Sequence, residues 1–534
     1  MSEVVKKEGR GSWSNRMTFI LAAIGSAVGL GNAWRFPGLA AKHGGGVFIL
    51  VYVIAMFAFG IPLLMMEISI GRKMRAGAPS ALRGVNKKFE PIGWAATTNA
   101  FFISSYYAVV FAWVILMTLC SFKFAGITSV EQAKGLWSEL IMASINLEEI
   151  EFSLHGFDRI STLVFVCLII AWALIYYCIR NGAHSVGKVV KYTVFLPVVC
   201  LLIMAGKGVF MPGAIEGIKK MFIPDFSALS NPQLWTDAFG QVFYSLSIMM
   251  AIMFAYGSFL DDKSNIAVDS IIISLSDLAI SLLAGVVMFT TMAGTGKLDM
   301  MSPSGIATAF IFYPQAIASL TNVGWINAIF AFVFYFCLCT LAIDSAFSII
   351  EGVATAISDK YKTGKKKTTI ICCVLSMCIS FIFITGAGPA LLDIVDNWCN
   401  NYNMIIIGIL ESVAIGWCFK LSKVLDEVNR NTQKFKMPGW WFKISIKFIA
   451  PIALTIMVIW NFVALIKGGG VYGKYYNLTS NLICGWLMTA IVFASGFVVM
   501  IIDKKLKQKG IEQKEITWDN VDSIIEEDKK TEEN

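Results

Sequence analysis

Asp277, Asp344 and Glu351 lie inside stretches apolar enough to cross a membrane. A carboxylate at that depth is costly unless it is paired, and it marks an ion path or a binding site by default. A bound cation is the obvious stabiliser. Hard cations such as Na⁺ take oxygen ligands, and oxygen-bearing side chains surround these acids in the sequence. Asp344 adjoins Ser345. Asp277 and Ser281 fall one turn apart on one helical face. Gly240-Gln241-Val242-Phe243-Tyr244-Ser245-Leu246-Ser247 adds an amide, a phenol and two hydroxyls in one short run, although serines also bond back to their own helix.

The elements that must position these groups are membrane spans, and one of them is unusual. Gly25-Ser26-Ala27-Val28-Gly29-Leu30-Gly31-Asn32-Ala33-Trp34-Arg35-Phe36-Pro37 sits inside an apolar run from about Met17 to Ala41. Gly25-x-x-x-Gly29 fits close packing of two helices. Packing does not require Asn32 and Arg35, so the stretch also reads as a spanning helix interrupted near mid-depth. Carbonyls before such a break suit a cation, and N–H groups after it suit an anion.

The chain has 534 residues, 57% hydrophobic and 15% charged. That composition predicts an all-α polytopic membrane protein with twelve spans. They lie near 17–41, 46–70, 92–122, 160–179, 187–207, 234–258, 268–294, 325–357, 368–387, 392–419, 444–466 and 481–502. Residues 1–16 form an N-terminal segment and 503–534 a charged tail without apolar periodicity, expected to be solvated and flexible. No cleavable signal peptide is apparent. Lys and Arg crowd alternate loops (Arg72, Lys73, Arg75, Arg83, Lys87, Lys88; Lys360 to Lys367; Lys420 to Lys436), whereas the loop after span three is acidic. The positive-inside rule then puts both termini in the cytoplasm, at the cell (inner) membrane. The net charge of +8 follows from this bias and does not point to nucleic acid.

Other features fit a transporter. Glu67, near the inner end of span two, either holds N–H groups freed by a broken helix or sits at headgroup level. Tyr106 and Tyr107 lie deep in span three, where a phenol needs a partner. Gly187 and Pro197 allow span five to kink or unwind. Ser304 to Ala318 is too short to span, is interrupted by Pro314, and reads as a hairpin dipping from outside. Nothing in Ile248-Met249-Met250-Ala251 announces a break in span six. The cysteines lie mostly within spans and show no metal spacing. There is no G-x-x-x-x-G-K-[ST] motif to supply ATP energy, so transport would be driven by an ion gradient.

The motif from Gly25 to Pro37, with Gly44-Gly45-Gly46 and Gly60-Ile61-Pro62-Leu63, resembles the neurotransmitter:sodium symporter family. The runs Gly240 to Ser247 and Leu341-Ala342-Ile343-Asp344-Ser345 agree with it, and Gly187 with Pro197 matches a spacing of its bacterial members. The likeness extends from about Arg10 to span twelve. It implies an inverted five-plus-five repeat, about 17–207 and 234–419, with helices one and six broken at mid-membrane and helices eleven and twelve at about 444–502.

By the same resemblance, one sodium ion would be held by the Ala27 carbonyl, Asn32, Ser245, Asp277 and the substrate carboxylate. A second would take the carbonyls of Gly25, Val28 and Leu341 with Asp344 and Ser345. The substrate carboxylate would meet the N–H groups of Leu30 and Gly31 and the Tyr107 hydroxyl; Ile103, Tyr244, Ser247, Met250 and Ile349 would line the side-chain pocket. Arg35 and Asp396 would form an outer gate, Arg10 and Asp359 an inner one with Trp13 and Ser258 nearby. Tyr52, Gln241, Ser245 and Ser281 resemble the chloride site of animal members.

Gly29 stands where amine carriers have Asp, so an amino acid bringing its own carboxylate is favoured. Four positions depart from the family pattern: Asp277 replaces a common Asn, Met249 and Met250 replace a Gly and an aromatic, and Phe259 replaces a Tyr. A fixed carboxylate at 277 would make chloride unnecessary. The expectation is a non-enzymatic, two-sodium symporter for neutral, hydrophobic or aromatic L-amino acids, working by alternating access without an organic cofactor or an obligatory protein partner. The competing expectation is an amino-acid-binding membrane sensor without net transport.

Overall fold

Two interrupted spans meet near the centre of the molecule, and the remaining helices are built around them. The computed structural model describes residues 11–127, 130–141, 145–146, 151–152, 154–301, 305–431, 435–473, 476–507 and 516–524. Nine described helices are long and apolar enough to cross a membrane: Gly46–Met74, Lys87–Leu119, Thr162–Ile179, Ala183–Val209, Ile266–Gly294, Gly324–Tyr361, Lys365–Phe383, Gly439–Lys467 and Leu478–Lys505. Two bent pairs also qualify: Arg16–Ala27 with Gly31–Lys42, bent by 52°, and Gly388–Trp417 with Leu421–Val428, bent by 97°. Span six completes the twelve as two short pieces, Pro232–Ser245 and Ile252–Ser258. A two-residue ribbon, Ile145–Asn146 against Glu151–Phe152, is the only strand pair among the described residues.

Burial sorts the spans. The apolar window of span three is 83% buried inside the protein, that of span twelve only 22%. Span three is therefore central, and spans eleven and twelve turn most of their apolar surface outward, as lipid-facing helices do.

Span one leaves the helix at Val28, whose ψ of 96° is extended. The chain resumes as a wide helical turn over Gly31–Arg35. Span six breaks without a glycine: Ser247, Met249 and Ala251 have φ of 52°, 64° and 61°. Left-handed backbone costs a non-glycine residue roughly 1–2 kcal/mol. Tertiary contacts offset that cost. The Ser247 hydroxyl donates to the Ser26 carbonyl at 2.8 Å, and the Met249 N–H donates to Glu67 Oε1 at 2.7 Å. Below the break, span six lies backbone to backbone on span two. A Cβ on Gly71 would stand 2.1 Å from the Phe254 carbonyl oxygen, and one on Gly257 2.4 Å from that of Ile68. Only glycine permits that approach at either position.

Three expectations need correction. The segment before span eight is not interrupted at Pro314: helix runs through Thr308–Phe312 into Tyr313–Ala318. A wide turn precedes Pro314, which takes an early position where its missing N–H costs little. Arg72 is no loop residue; it is buried inside helix and pairs with Glu427 at 2.8 Å. The tail is not solvated throughout. Trp518 and Val521 are buried, the Trp518 N–H donates to the Gly84 carbonyl at 2.8 Å, and its ring packs edge-on against Phe419.

Candidate functional site

The two breaks face each other, and a small cavity opens between them. Its walls are Ser26, Ala27, Gly29, Ile103, Tyr107, Tyr244, Ser247, Met250, Ser345 and Ile349. Eight of these were expected from sequence as substrate-binding residues and Gly29 for what it implies about the ligand; Ser26 was not. Of the other expected residues, Gly31 packs under the Tyr244 ring, where a Cβ would lie 2.4 Å from the ring edge. Leu30 and Ser245 lie behind the cavity wall, both buried. The Tyr107 hydroxyl is buried without a hydrogen-bond partner. A Cβ on Gly29 would lie 3.4 Å from it and only 2.5 Å from the Ser345 hydroxyl. No carboxylate lines the cavity.

One flank of the cavity is a polar knot around Asp277. Asn32 Nδ2 donates to Asp277 Oδ1 at 2.7 Å and lies 3.0 Å from the Ser245 hydroxyl and 2.7 Å from that of Ser281. The Ser245 hydroxyl reaches both Asp277 oxygens at 2.7 Å, and the Tyr52 hydroxyl donates to Oδ2 at 2.9 Å. Asn32 Oδ1 accepts from the Gly29 N–H at 2.9 Å, which ties the knot to the broken backbone of span one. The structure thus gathers Asn32, Tyr52, Ser245, Asp277 and Ser281. Gln241 is also buried nearby on span six, with neither amide atom hydrogen-bonded.

The other flank holds Asp344, also buried. A Cβ on Gly25 would sit 2.7 Å from Asp344 Oδ2, so the carboxylate lies directly against the last helical turn before the break. Its Oδ1 has no partner. Val28 and Leu341 are buried, and Ser345 Oγ lies 3.4 Å from the Ser26 carbonyl. An anionic oxygen beside carbonyls is the donor set of a hard-cation site.

Above the cavity, Arg35 stacks over the Tyr244 ring at 5.6 Å. Asp396 instead accepts from the Tyr106 hydroxyl and the Asn400 amide, each at 2.8 Å. Arg35 and Asp396 are therefore near but not joined by a direct ion pair. Asp396 is thus the partner that the depth of Tyr106 demanded, a pairing the residue types alone do not identify.

Below the cavity, Trp13 is driven into the protein. Its ring meets Tyr256 and Phe259 edge-on, its indole N–H donates to the Tyr256 carbonyl at 3.0 Å, and its backbone N–H to the Phe259 carbonyl at 3.2 Å. Ser258 is buried and donates to the Ala255 carbonyl. Asp359 accepts from the Gly77 N–H at 2.7 Å, at the start of the helix Ala78–Val85. Arg10, its expected partner, lies outside the described residues.

Known proteins resemble this chain along most of its length. The profile of the sodium:neurotransmitter symporter family matches residues 10–139 and 129–507. A protein of Methanocaldococcus jannaschii described as an uncharacterized sodium-dependent transporter is 34% identical over 93% of this chain and 98% of its own length. The sodium- and chloride-dependent glycine transporter 2 of Xenopus laevis is 28% identical over 91% of this chain and 68% of its own. Among solved structures, MhsT in complex with L-phenylalanine aligns with a TM-score of 0.72 at 26% identity, covering 84% of this chain and 99% of that one.

Proposed function

The chain belongs to the sodium:neurotransmitter symporter family, and from that premise we propose that it imports neutral, hydrophobic or aromatic L-amino acids with two sodium ions and without chloride. The observation that carries the substrate class is the cavity's polar end. It offers the unpartnered Tyr107 hydroxyl beside Gly29 and Ser345 and carries no carboxylate of its own. A ligand that brings a carboxylate completes it. Ile103, Met250 and Ile349, in the same lining, suit an apolar side chain. The binding of L-phenylalanine by MhsT supports the same class.

In this reading Ala27, Asn32, Ser245 and Asp277 hold one ion, in contact with the substrate carboxylate. Gly25, Val28, Leu341, Asp344 and Ser345 hold the other. Shared contact makes substrate and sodium strengthen each other's binding. Chloride is dispensable because the Asp277 carboxylate already accepts from Tyr52, Ser245 and Asn32, where an anion would sit. Arg35, Tyr244 and Asp396 guard the outer mouth. Trp13, Ser258 and Asp359, with Arg10, guard the inner one. The transport domain spans 17–502, with residues 1–16 and 503–534 on the cytoplasmic side, as the loop charges require.

The test is uptake of labelled L-phenylalanine into proteoliposomes, with an inward sodium gradient and chloride replaced by gluconate. Accumulation that needs sodium and survives without chloride is expected, together with a screen of the twenty amino acids by sodium-dependent thermal shift. Uptake indifferent to sodium, or a preference for amines, overturns the proposal.

A further inference from the structure

The helix that opens span five, Ala183–Thr193, has two unlike faces. Val186, Gly187 and Val190 are buried against the protein, and a Cβ on Gly187 would stand 2.5 Å from Thr18 Cγ2 of span one. His184, Lys188, Lys191 and Tyr192 are exposed. Phe195, Val199 and Leu202 of the following helix, Phe195–Val209, continue the exposed stripe at the spacing of one helical face. Arg180 lies four residues before His184 at the end of span four, its guanidinium 4.4 Å from the centre of the Tyr177 ring.

No acid answers these cations. From Arg159 to Ile215 the sequence holds neither Asp nor Glu. Among the described residues, none of Arg180, His184, Lys188 and Lys191 takes part in an ion pair. Glu351 lies 3.7 Å from the Cβ position of Gly182, but it is completely buried and paired with Lys365 at 3.0 Å. Basic loops are common at membrane proteins' inner side and by themselves report only orientation. These lysines instead stand on the outward side of a helix long and apolar enough to cross a membrane, whose apolar window is only 39% buried. Lipid covers that side, and the counter-charge available there is lipid phosphate.

We propose that His184, Lys188 and Lys191, flanked by Arg180 and Tyr192, bind an anionic phospholipid, and that the bound lipid keeps the first half of span five seated on span one. The headgroup phosphate lies between Lys188 and Lys191, whose long stems reach headgroup level, and the acyl chains run along Phe195, Val199 and Leu202. Like charges three or four residues apart weaken a helix, and the phosphate removes that repulsion. The seat adjoins the substrate region: Val194 Cγ2, at the end of this helix, lies 3.1 Å from the Cβ position of Gly25, beside Asp344.

The test uses the purified full-length protein. In native mass spectrometry it is offered equal amounts of phosphatidylglycerol and phosphatidylcholine with the same acyl chains. Retention of phosphatidylglycerol over phosphatidylcholine by about tenfold is expected, the scale of two lysine–phosphate contacts. Lys188→Gln with Lys191→Gln should remove most of that preference. Lys366→Gln with Lys367→Gln, which takes away two other exposed lysines, should keep it. In nanodiscs of the wild type, hydrogen–deuterium exchange across residues 183–195 should slow by about threefold or more when phosphatidylglycerol replaces phosphatidylcholine. Neither readout involves sodium or an amino acid, so the outcome is independent of the transport assignment. Equal retention of the two lipids overturns the proposal. So does a preference that survives loss of Lys188 and Lys191 or falls as far with Lys366 and Lys367 changed, or exchange indifferent to lipid charge.

Discussion

Asp277 receives three neutral donors and Asp344 almost none, and this difference sets what each residue does when changed. The Asp277 oxygens are matched by Tyr52, Ser245 and Asn32, three side chains that hold the carboxylate in place. Asp277→Asn removes the charge and keeps the size. Sodium-driven uptake should then fall about tenfold in gluconate, a loss of about 1.4 kcal/mol, and recover when chloride is restored. Equal rates with and without chloride in the variant would count against the role given to Asp277. Gly25 is the matching position at Asp344: a methyl there would stand 2.7 Å from Oδ2. Gly25→Ala should therefore raise the sodium concentration for half-maximal uptake by roughly tenfold or more, about 1.4 kcal/mol, while L-phenylalanine specificity is unchanged. An unaltered sodium titration would show that the carboxylate does not face an ion there.

At the scale of elements, the two breaks were unequally legible. Gly29 and Gly31, with Asn32 and Arg35 in an apolar run, expose the first break to anyone reading the sequence. The second carries no such mark, because Ser247, Met249 and Ala251 adopt left-handed backbone that none of them prefers. Only the resemblance predicted it. The physical cause lies in partners distant in sequence, the Ser26 carbonyl and Glu67, and in the glycines that seat span six on span two. Pairings such as Tyr106 with Asp396 were hidden for the same reason: residue types announce a need for a partner without identifying it. The proposed inner closure is also an element property. Trp13 fixes the N-terminal segment to the second half of span six through two backbone carbonyls and two rings. Trp13→Ala should shift the population toward an inward-open state and weaken L-phenylalanine binding by about tenfold, the equivalent of about 1.4 kcal/mol. Affinity equal to that of the wild type would remove Trp13 from the gate.

On the scale of the whole molecule, composition and apolar runs foretold a twelve-span helical protein, and the fold follows from the need to satisfy every backbone group inside the membrane. The tail was misread because its few apolar residues show no periodicity. Trp518 and Val521 nonetheless dock, with Lys73 over the Trp518 ring at 5.9 Å and paired to Asp522 at 2.5 Å. Trp518→Ala should cost roughly 2 kcal/mol of buried apolar surface and lower the melting temperature in detergent. An unchanged melting curve would mean the docking adds nothing to stability.

The central claim is that carbonyls of a broken first span and two buried aspartates hold sodium beside an amino acid. Equilibrium binding of tracer sodium to the purified protein, with and without saturating L-phenylalanine, tests it most directly. The account predicts two saturable sodium ions per chain with the amino acid present and one fewer in Asp344→Ala. Sodium binding that is unsaturable, or that neither the amino acid nor Asp344→Ala alters, would contradict it.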